Sequence, residues 1–249
     1  MKAIKTIALF ISPLGLFLIA TYFLVLPFIN NFDIDLFKNQ NLSFSILVSL
    51  ISTFLSIAIG TSISFVSLYR NKVDSKKIFE IVLLFPHIAF AYLVFLFFSD
   101  EGVLSRLINT PLSIINDRFG IGITLNYVLK EIPFIYLILI STHSKKIKKS
   151  IHVAKTLGAS SVEIFKKIYL PLMKVPIISS TIIIFAFVLG NYEVPALLGN
   201  GVNKFTSVSI IENFQSIDES NNILSYAQVF ILFSISLVFS IFLKRRAAK

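Results

Sequence analysis

The sequence predicts an all-α, polytopic membrane protein with six transmembrane helices, and three observations carry that prediction. Apolar residues fill 55% of the 249 positions, and mean hydropathy is +0.84. Charged residues are scarce, at 14%. The apolar residues gather into runs near the ~20 residues that cross a ~30 Å hydrocarbon core at 1.5 Å rise per residue. A soluble chain of this length has no interior large enough for so much apolar surface, and a bilayer supplies the missing solvent.

The first run, Ile7–Ile29, follows Lys2 and Lys5 and so imitates a signal peptide. It is long enough to span, and no small-x-small cleavage site precedes Asn30-Asn31-Phe32-Asp33, so a retained signal-anchor helix is expected. The second, Phe44–Tyr69, is overlong and must tilt or protrude. Ser52, Ser56, Gly60 and Ser64 recur in it at every fourth position, forming a stripe of small side chains that lets another helix approach closely. The third run, Ile78–Phe98, contains Pro86, and the adjacent His87 is expected to satisfy a carbonyl freed at the proline rather than to bind metal.

The fourth run, about Ile121–Thr142, is interrupted by Lys130, Glu131 and Pro133. A charge inside the membrane costs at least about 2.5–3.5 kcal/mol on insertion scales and demands a reason. For Glu131 two reasons stand open: neutralisation by its neighbours with a bend at the proline, or a place on a polar path through the membrane. The fifth run, Pro176–Leu198, ends in Gly190-Asn191-Tyr192-Glu193-Val194-Pro195-Ala196-Leu197-Leu198-Gly199. Glycine and proline beside an acidic group often break a helix where backbone faces a cavity. Asn191, Tyr192, Glu193 and Pro195 are therefore path candidates, the alternative being an interfacial Glu with an anchoring Tyr. Tyr226–Leu243 is the sixth run. The segments 30–43, 99–120 and 199–225 are too short to fold independently, so residues 1–249 read as a single membrane domain, with an N-terminal helix at 7–29 and core helices over about 44–243.

Orientation follows from charge. With the N-terminus inside, 18 of the 23 Lys and Arg fall on the cytoplasmic side, in the N-terminal tip, the 70–77 loop, the 145–174 loop and the C-terminal tail. This bias places both termini in the cytoplasm and requires an even number of spans. It also explains the net charge of +10 as a topology signal, with no nucleic-acid partner. There are no cysteines and only three histidines, so no metal centre is expected, and no Ser-His-Asp arrangement is supported.

The loop over 143–175 is the most informative segment. Ile147, Ile151, Ala154 and Leu157 keep helical spacing. Gly158 breaks that helix. Ser160 and Glu163 form an S-x-x-E capping box that starts another, in which Ile164, Phe165 and Ile168 share one face while Lys166 and Lys167 point away. Leu170-Pro171 should end it, because the residue before a proline is pushed out of helical geometry. Two roles suit such a helix–turn–helix: an amphipathic hairpin resting on headgroups, or a docking element for a cytoplasmic partner.

This segment resembles the EAA loop of permease subunits in bacterial binding-protein-dependent ABC importers. In that pattern Glu-Ala-Ala is followed three residues later by Gly, and nine residues further by Ile-x-Leu-Pro. Here His152-Val153-Ala154, then Gly158-Ala159, then Ile168-Tyr169-Leu170-Pro171 keep the spacing, and Phe165 also fits. The segment 190–199 is similar to one in polyamine and iron(III) permeases, and Phe85-Pro86 and Gly102–Leu107 match the wider family. The resemblance implies a type I ABC importer permease fold and a role for His152, Ala154, Gly158, Ala159, Phe165, Ile168, Leu170 and Pro171 in coupling to an ATPase.

It further implies two ATP-binding subunits as partners, a second permease (identical or related) and an external substrate-binding protein, in the inner membrane of a bacterium. No cofactor is expected on this chain. ATP and Mg would be used by the partner ATPase, since the chain has no GxxxxGK[ST] phosphate loop and is not itself expected to be an enzyme. One departure is His152, which stands where the pattern has Glu; a charge-assisted contact to the ATPase is lost unless a paired permease supplies it. A secondary transporter would need inverted repeats, and a membrane enzyme or scaffold would need a catalytic constellation or soluble domain; none is visible in the sequence.

Overall fold

The computed structural model describes residues 42–70, 76–142 and 144–247. All regular structure among them is helical: α1 (Leu42–Tyr69), α2 (Lys76–Leu84), α3 (His87–Phe98), α4 (Val103–Ile108), α5 (Ile121–Ser141), α6 (Ser144–Thr156), α7 (Ser161–Leu172), α8 (Lys174–Gly190), α9 (Glu193–Leu198), α10 (Thr206–Phe214) and α11 (Glu219–Ala247). Four stretches are long and apolar enough to cross a membrane: Leu42–Tyr69, His87–Ile108, Ile121–Ser141 and Ser220–Arg246. A fifth arises if α7 and α8, which meet at a 71° bend, count as one broken span. The expected span Ile7–Ile29 lies outside the described residues, so the structure accounts for up to five of the six.

The centre of the fold is α1 packed along α5. Both ends of the contact are tight: a Cβ on Gly60 would lie 2.9 Å from Ile135 Cβ, and one on Gly120 would lie 2.8 Å from Val48 Cγ2. The two helices thus run side by side in the same direction, with the chain returning between them through α2–α4. The expected stripe is the reason for the approach. Ser52, Ser56, Gly60 and Ser64 are buried, together with Ser49 and Ser45 one and two turns earlier, while Leu47, Leu50, Ile51 and Phe54 point outward. Polar-in, apolar-out is the arrangement a lipid solvent demands, because backbone proximity rather than hydrophobicity drives helix association there.

A second layer is formed by α8 and α11, joined by Phe185 and Phe239 with ring centroids 4.1 Å apart. Side chains lock the connections at the end of the bundle where α1 begins. Thr206 N donates to Ser45 Oγ (2.8 Å), and Asn203 Nδ2 donates to the Arg118 carbonyl (2.8 Å).

Two expected spans are broken rather than continuous. The third divides at Phe85-Pro86, where Pro86 is extended (φ −56°, ψ 148°), and the fifth ends at Gly190 instead of Leu198. By contrast α5 runs without interruption through Pro133.

Candidate coupling hairpin and membrane polar column

In α6 the buried residues are Ile147, Ile151 and Ala154, as their spacing predicts. Leu157 departs from that stripe and is 80% exposed. The cause is the turn that follows. Gly158 adopts φ +82°, its N–H bonds to Lys155 O (3.0 Å), and the Ala159 N–H reaches back to Ala154 O (3.0 Å). These paired bonds make a Schellman stop, whose left-handed residue is best supplied by glycine. Leu157 sits in the last turn and is swung to the tip of the hairpin.

The capping box forms in both directions. Glu163 N–H donates to Ser160 Oγ (3.3 Å), and Ser160 N–H donates to Glu163 Oε2 (3.2 Å). Glu163 also accepts from Lys167 (3.1 Å). That bond, followed by those from Ser160, holds its carboxyl below the usual carboxylate range.

The stop expected at Leu170-Pro171 does not occur. Leu170 keeps helical angles (φ −59°, ψ −45°), and the helix continues to Leu172, bending only at Met173 (φ −96°, ψ 4°). A π-turn over Phe165–Tyr169 precedes the proline. Its wider ring accommodates a residue that lacks an N–H and would otherwise press on the carbonyl four residues back.

That same turn seats the hairpin on the end of α1. Phe165 meets Phe65 at 4.9 Å between centroids, Tyr169 meets Phe65 at 5.2 Å, and the Tyr169 and Ser64 hydroxyls are 2.5 Å apart. Lys155 adds a bond from Nζ to the Tyr69 carbonyl. The expected coupling residues therefore divide. Ala154, Phe165, Ile168 and Leu170 face inward and hold the hairpin, Ala159 is half-buried, and His152, Gly158 and Pro171 face out. Val153, Leu157 and Val162 surround the outward tip as exposed apolar groups; spacing placed Leu157 on the inner stripe and did not single out Val162.

Within the helical bundle, polar groups form a column beside the two breaks. Pro86 has no N–H to give the Val82 carbonyl, and Lys130 supplies the missing donor. Its Nζ bonds Val82 O (2.7 Å) and Phe85 O (2.6 Å), which caps the end of α2 where the helix dipole is negative. His87 is thus not the group that satisfies the freed carbonyls. It faces Glu131 instead, with Nε2 3.3 Å from Oε1, and lies against Phe187 at 4.5 Å. Phe187 also meets Tyr127, whose hydroxyl donates to Asn191 Oδ1 (3.0 Å).

Asn191 is the keystone of the second break. Its Oδ1 also accepts from Val194 N–H (3.1 Å), opening α9, and its carbonyl accepts from Ser207 Oγ (2.6 Å). Pro195 is buried beneath, while Tyr192 and Glu193 are exposed. A cleft of about 440 Å³ lies beside the break, lined by Gly190, Tyr192 and Ser207 with residues of α10 and α11. The column joins Glu131 to Asn191 through side-chain contacts; Glu193 lies outside it. Sequence spacing found the charged members, but Lys130's partnership with a proline 44 positions earlier has no local signal.

Residues 75–247 match the family model described as binding-protein-dependent transport system inner membrane component. The chain belongs to that family. As a member it is a multi-pass inner-membrane component, a permease subunit, of a binding-protein-dependent transport system. Among its relatives, the inner membrane ABC transporter permease protein YnjC of Escherichia coli is 32% identical over 123 residues, 48% of this chain and 24% of that protein. The spermidine/putrescine transport system permease protein PotB of Escherichia coli is 27% identical over 168 residues, 64% of this chain and 60% of that one. The permease thus matches less than two thirds of the length of either relative.

Its fold is that of ABC transporter permeases. It resembles a chain of a bacterial alginate ABC transporter, solved with an alginate pentasaccharide-bound periplasmic protein, at a TM-score of 0.66 and 18% identity, covering 97% of this chain and 91% of that one. A second structure, of a bacterial ABC transporter involved in import of the acidic polysaccharide alginate, gives 0.63 and 16%, covering 98% and 92%.

Proposed function

We propose that this permease forms part of the translocation path of an ATP-driven importer and takes its power stroke through the 143–175 hairpin. The observation that carries this reading is the hairpin's construction. Its inner face is bonded to the end of α1 by Ser64, Phe65, Tyr169 and Lys155, and its tip presents Val153, Leu157 and Val162 to solvent. An apolar tip on a rigid mount is what a cleft in an ATPase subunit would grip, and movement of the tip would pass to α1 as a rigid body. Two ATPase subunits would use ATP and Mg, a second permease, identical or related, would complete the path, and an external binding protein would deliver cargo. Both termini then lie in the cytoplasm, on the hairpin's side, as the charge bias requires.

The cargo is a small polar solute. A cation such as a polyamine suits acidic groups on the path and the likeness to the spermidine/putrescine permease; iron(III) rests on the 190–199 resemblance alone. Glu131, Asn191, Tyr192, Glu193 and Pro195 are assigned to the path, Asn191 and Pro195 as builders of the break, Tyr192 as a group open to the cleft and Glu193 as an exposed carboxylate beside it in sequence.

The decisive experiment places a charge on the tip. Leu157→Asp touches no interior contact, and Gly158→Asp adds a strained left-handed residue as well. Both should insert at wild-type levels yet lose copurification of the ATPase and all uptake. Normal uptake by Leu157→Asp at normal expression would remove the docking assignment.

A further inference from the structure

Between α6 and the last turn of α1 lies a cleft of about 360 Å³. Leu68 and Ile151 contribute its apolar part, and Tyr69, Lys148, Lys149, His152 and Lys155 its polar part. Among the described residues no carboxylate lines it. From 144 to 174 the chain carries eight lysines and a single acid, Glu163, whose carboxylate is engaged by Ser160 and Lys167. One of the cationic groups is fixed in place: Lys155 Nζ bonds the Tyr69 carbonyl and stands 3.5 Å from the centroid of its ring. Like charges gathered with no counter-charge among the described residues of the lining create a local positive potential that favours an anion.

The position of the cleft identifies the anion. Leu68 and Tyr69 are the last residues of an apolar span, directly before Arg70, and terminal tyrosines of spans sit at headgroup depth. At that depth the abundant anion is a lipid phosphodiester, and basic pockets beside membrane helices recognise such headgroups.

We infer that this cleft binds the phosphodiester headgroup of an anionic phospholipid, which bridges α1 and α6 at the root of the hairpin. The inference does not depend on the ATPase assignment. Lys148 and Lys149 reach the headgroup, and Lys155, already anchored to α1, sets the depth of the site.

Native mass spectrometry of the full chain in detergent, titrated with phosphatidylglycerol or phosphatidylcholine, tests it. The wild type should retain one phosphatidylglycerol in preference to phosphatidylcholine. K148Q/K149Q should weaken that adduct at least about tenfold, with unchanged helicity by circular dichroism. K244Q/R245Q, which removes equal charge from the end of the last span, should leave it intact. Four results would overturn the proposal: no headgroup preference in the wild type, equal loss in both double variants, displacement of the lipid by millimolar inorganic phosphate (a soluble-anion site), or displacement by an added ATPase subunit (a protein site).

Discussion

Lys130 is 1% exposed in the middle of an apolar bundle, and its position is explained by a residue that donates nothing. Pro86 leaves the Val82 carbonyl without its helical partner, and the lysine completes the ladder from a neighbouring helix. Lys130→Met should orphan two carbonyls at about 1–3 kcal/mol each. The thermal unfolding midpoint in detergent should fall, and Lys130→Arg should recover part of the loss. An unchanged midpoint in the Met variant would show the bonds to be incidental. The sequence exposed this lysine as an anomaly yet could not name its partner, because a proline's missing donor is visible only where it sits and not where it is repaired. Glu193 poses the converse case. It is exposed beside the broken fifth span, so Glu193→Gln should leave assembly intact and reduce uptake of a cationic cargo several-fold. Uptake kinetics identical to wild type would take Glu193 off the path.

At the scale of elements, what was legible was whatever a local rule determines. The Ser160–Glu163 box and the Gly158 stop each depend on residues within a few positions, and both formed as read. The small-residue stripe of α1 was legible because period alone puts Ser52, Ser56, Gly60 and Ser64 on one face, though only the structure shows that α5 occupies it. Failures came where a tertiary or rarer local geometry intervened: a π-turn carried the helix through Pro171, and Lys130 rather than His87 took the carbonyls freed at Pro86. The tightest element contact gives a direct test. Since even a Cβ on Gly60 would lie 2.9 Å from Ile135 Cβ, Gly60→Leu must push α1 from α5. Overpacking of this kind costs about 1–3 kcal/mol or more. The hairpin hangs from α1 through Ser64 and Phe65, one turn further on, so the variant should also uncouple ATP hydrolysis from uptake. Gly60→Ala should show a milder form of both effects; wild-type coupling in Gly60→Leu would mean that the two helices move independently.

Taken as a whole, the molecule has a polarity that neither the helices nor their contacts dictate. The same bundle inserted upside down would keep every bond, and what would oppose that is the distribution of Lys and Arg, 18 of 23 on one side in the six-span reading of the sequence. The hairpin tip and the α10–α11 turn provide reporters for this asymmetry. Leu157 is exposed at the former and Ile217 fully exposed at the latter, with α8 as the span between them. The chain contains no cysteine, so single substitutions give unambiguous labelling. Ile217→Cys should react with a membrane-impermeant maleimide on intact spheroplasts. Leu157→Cys should react only after permeabilisation, and copurified ATPase should protect it. Reaction of both from outside would mean that α8 does not separate them, and the bent α7–α8 pair would then be a re-entrant element rather than a span. A reversed pattern would invert the molecule and leave the hairpin out of reach of any ATP-driven partner.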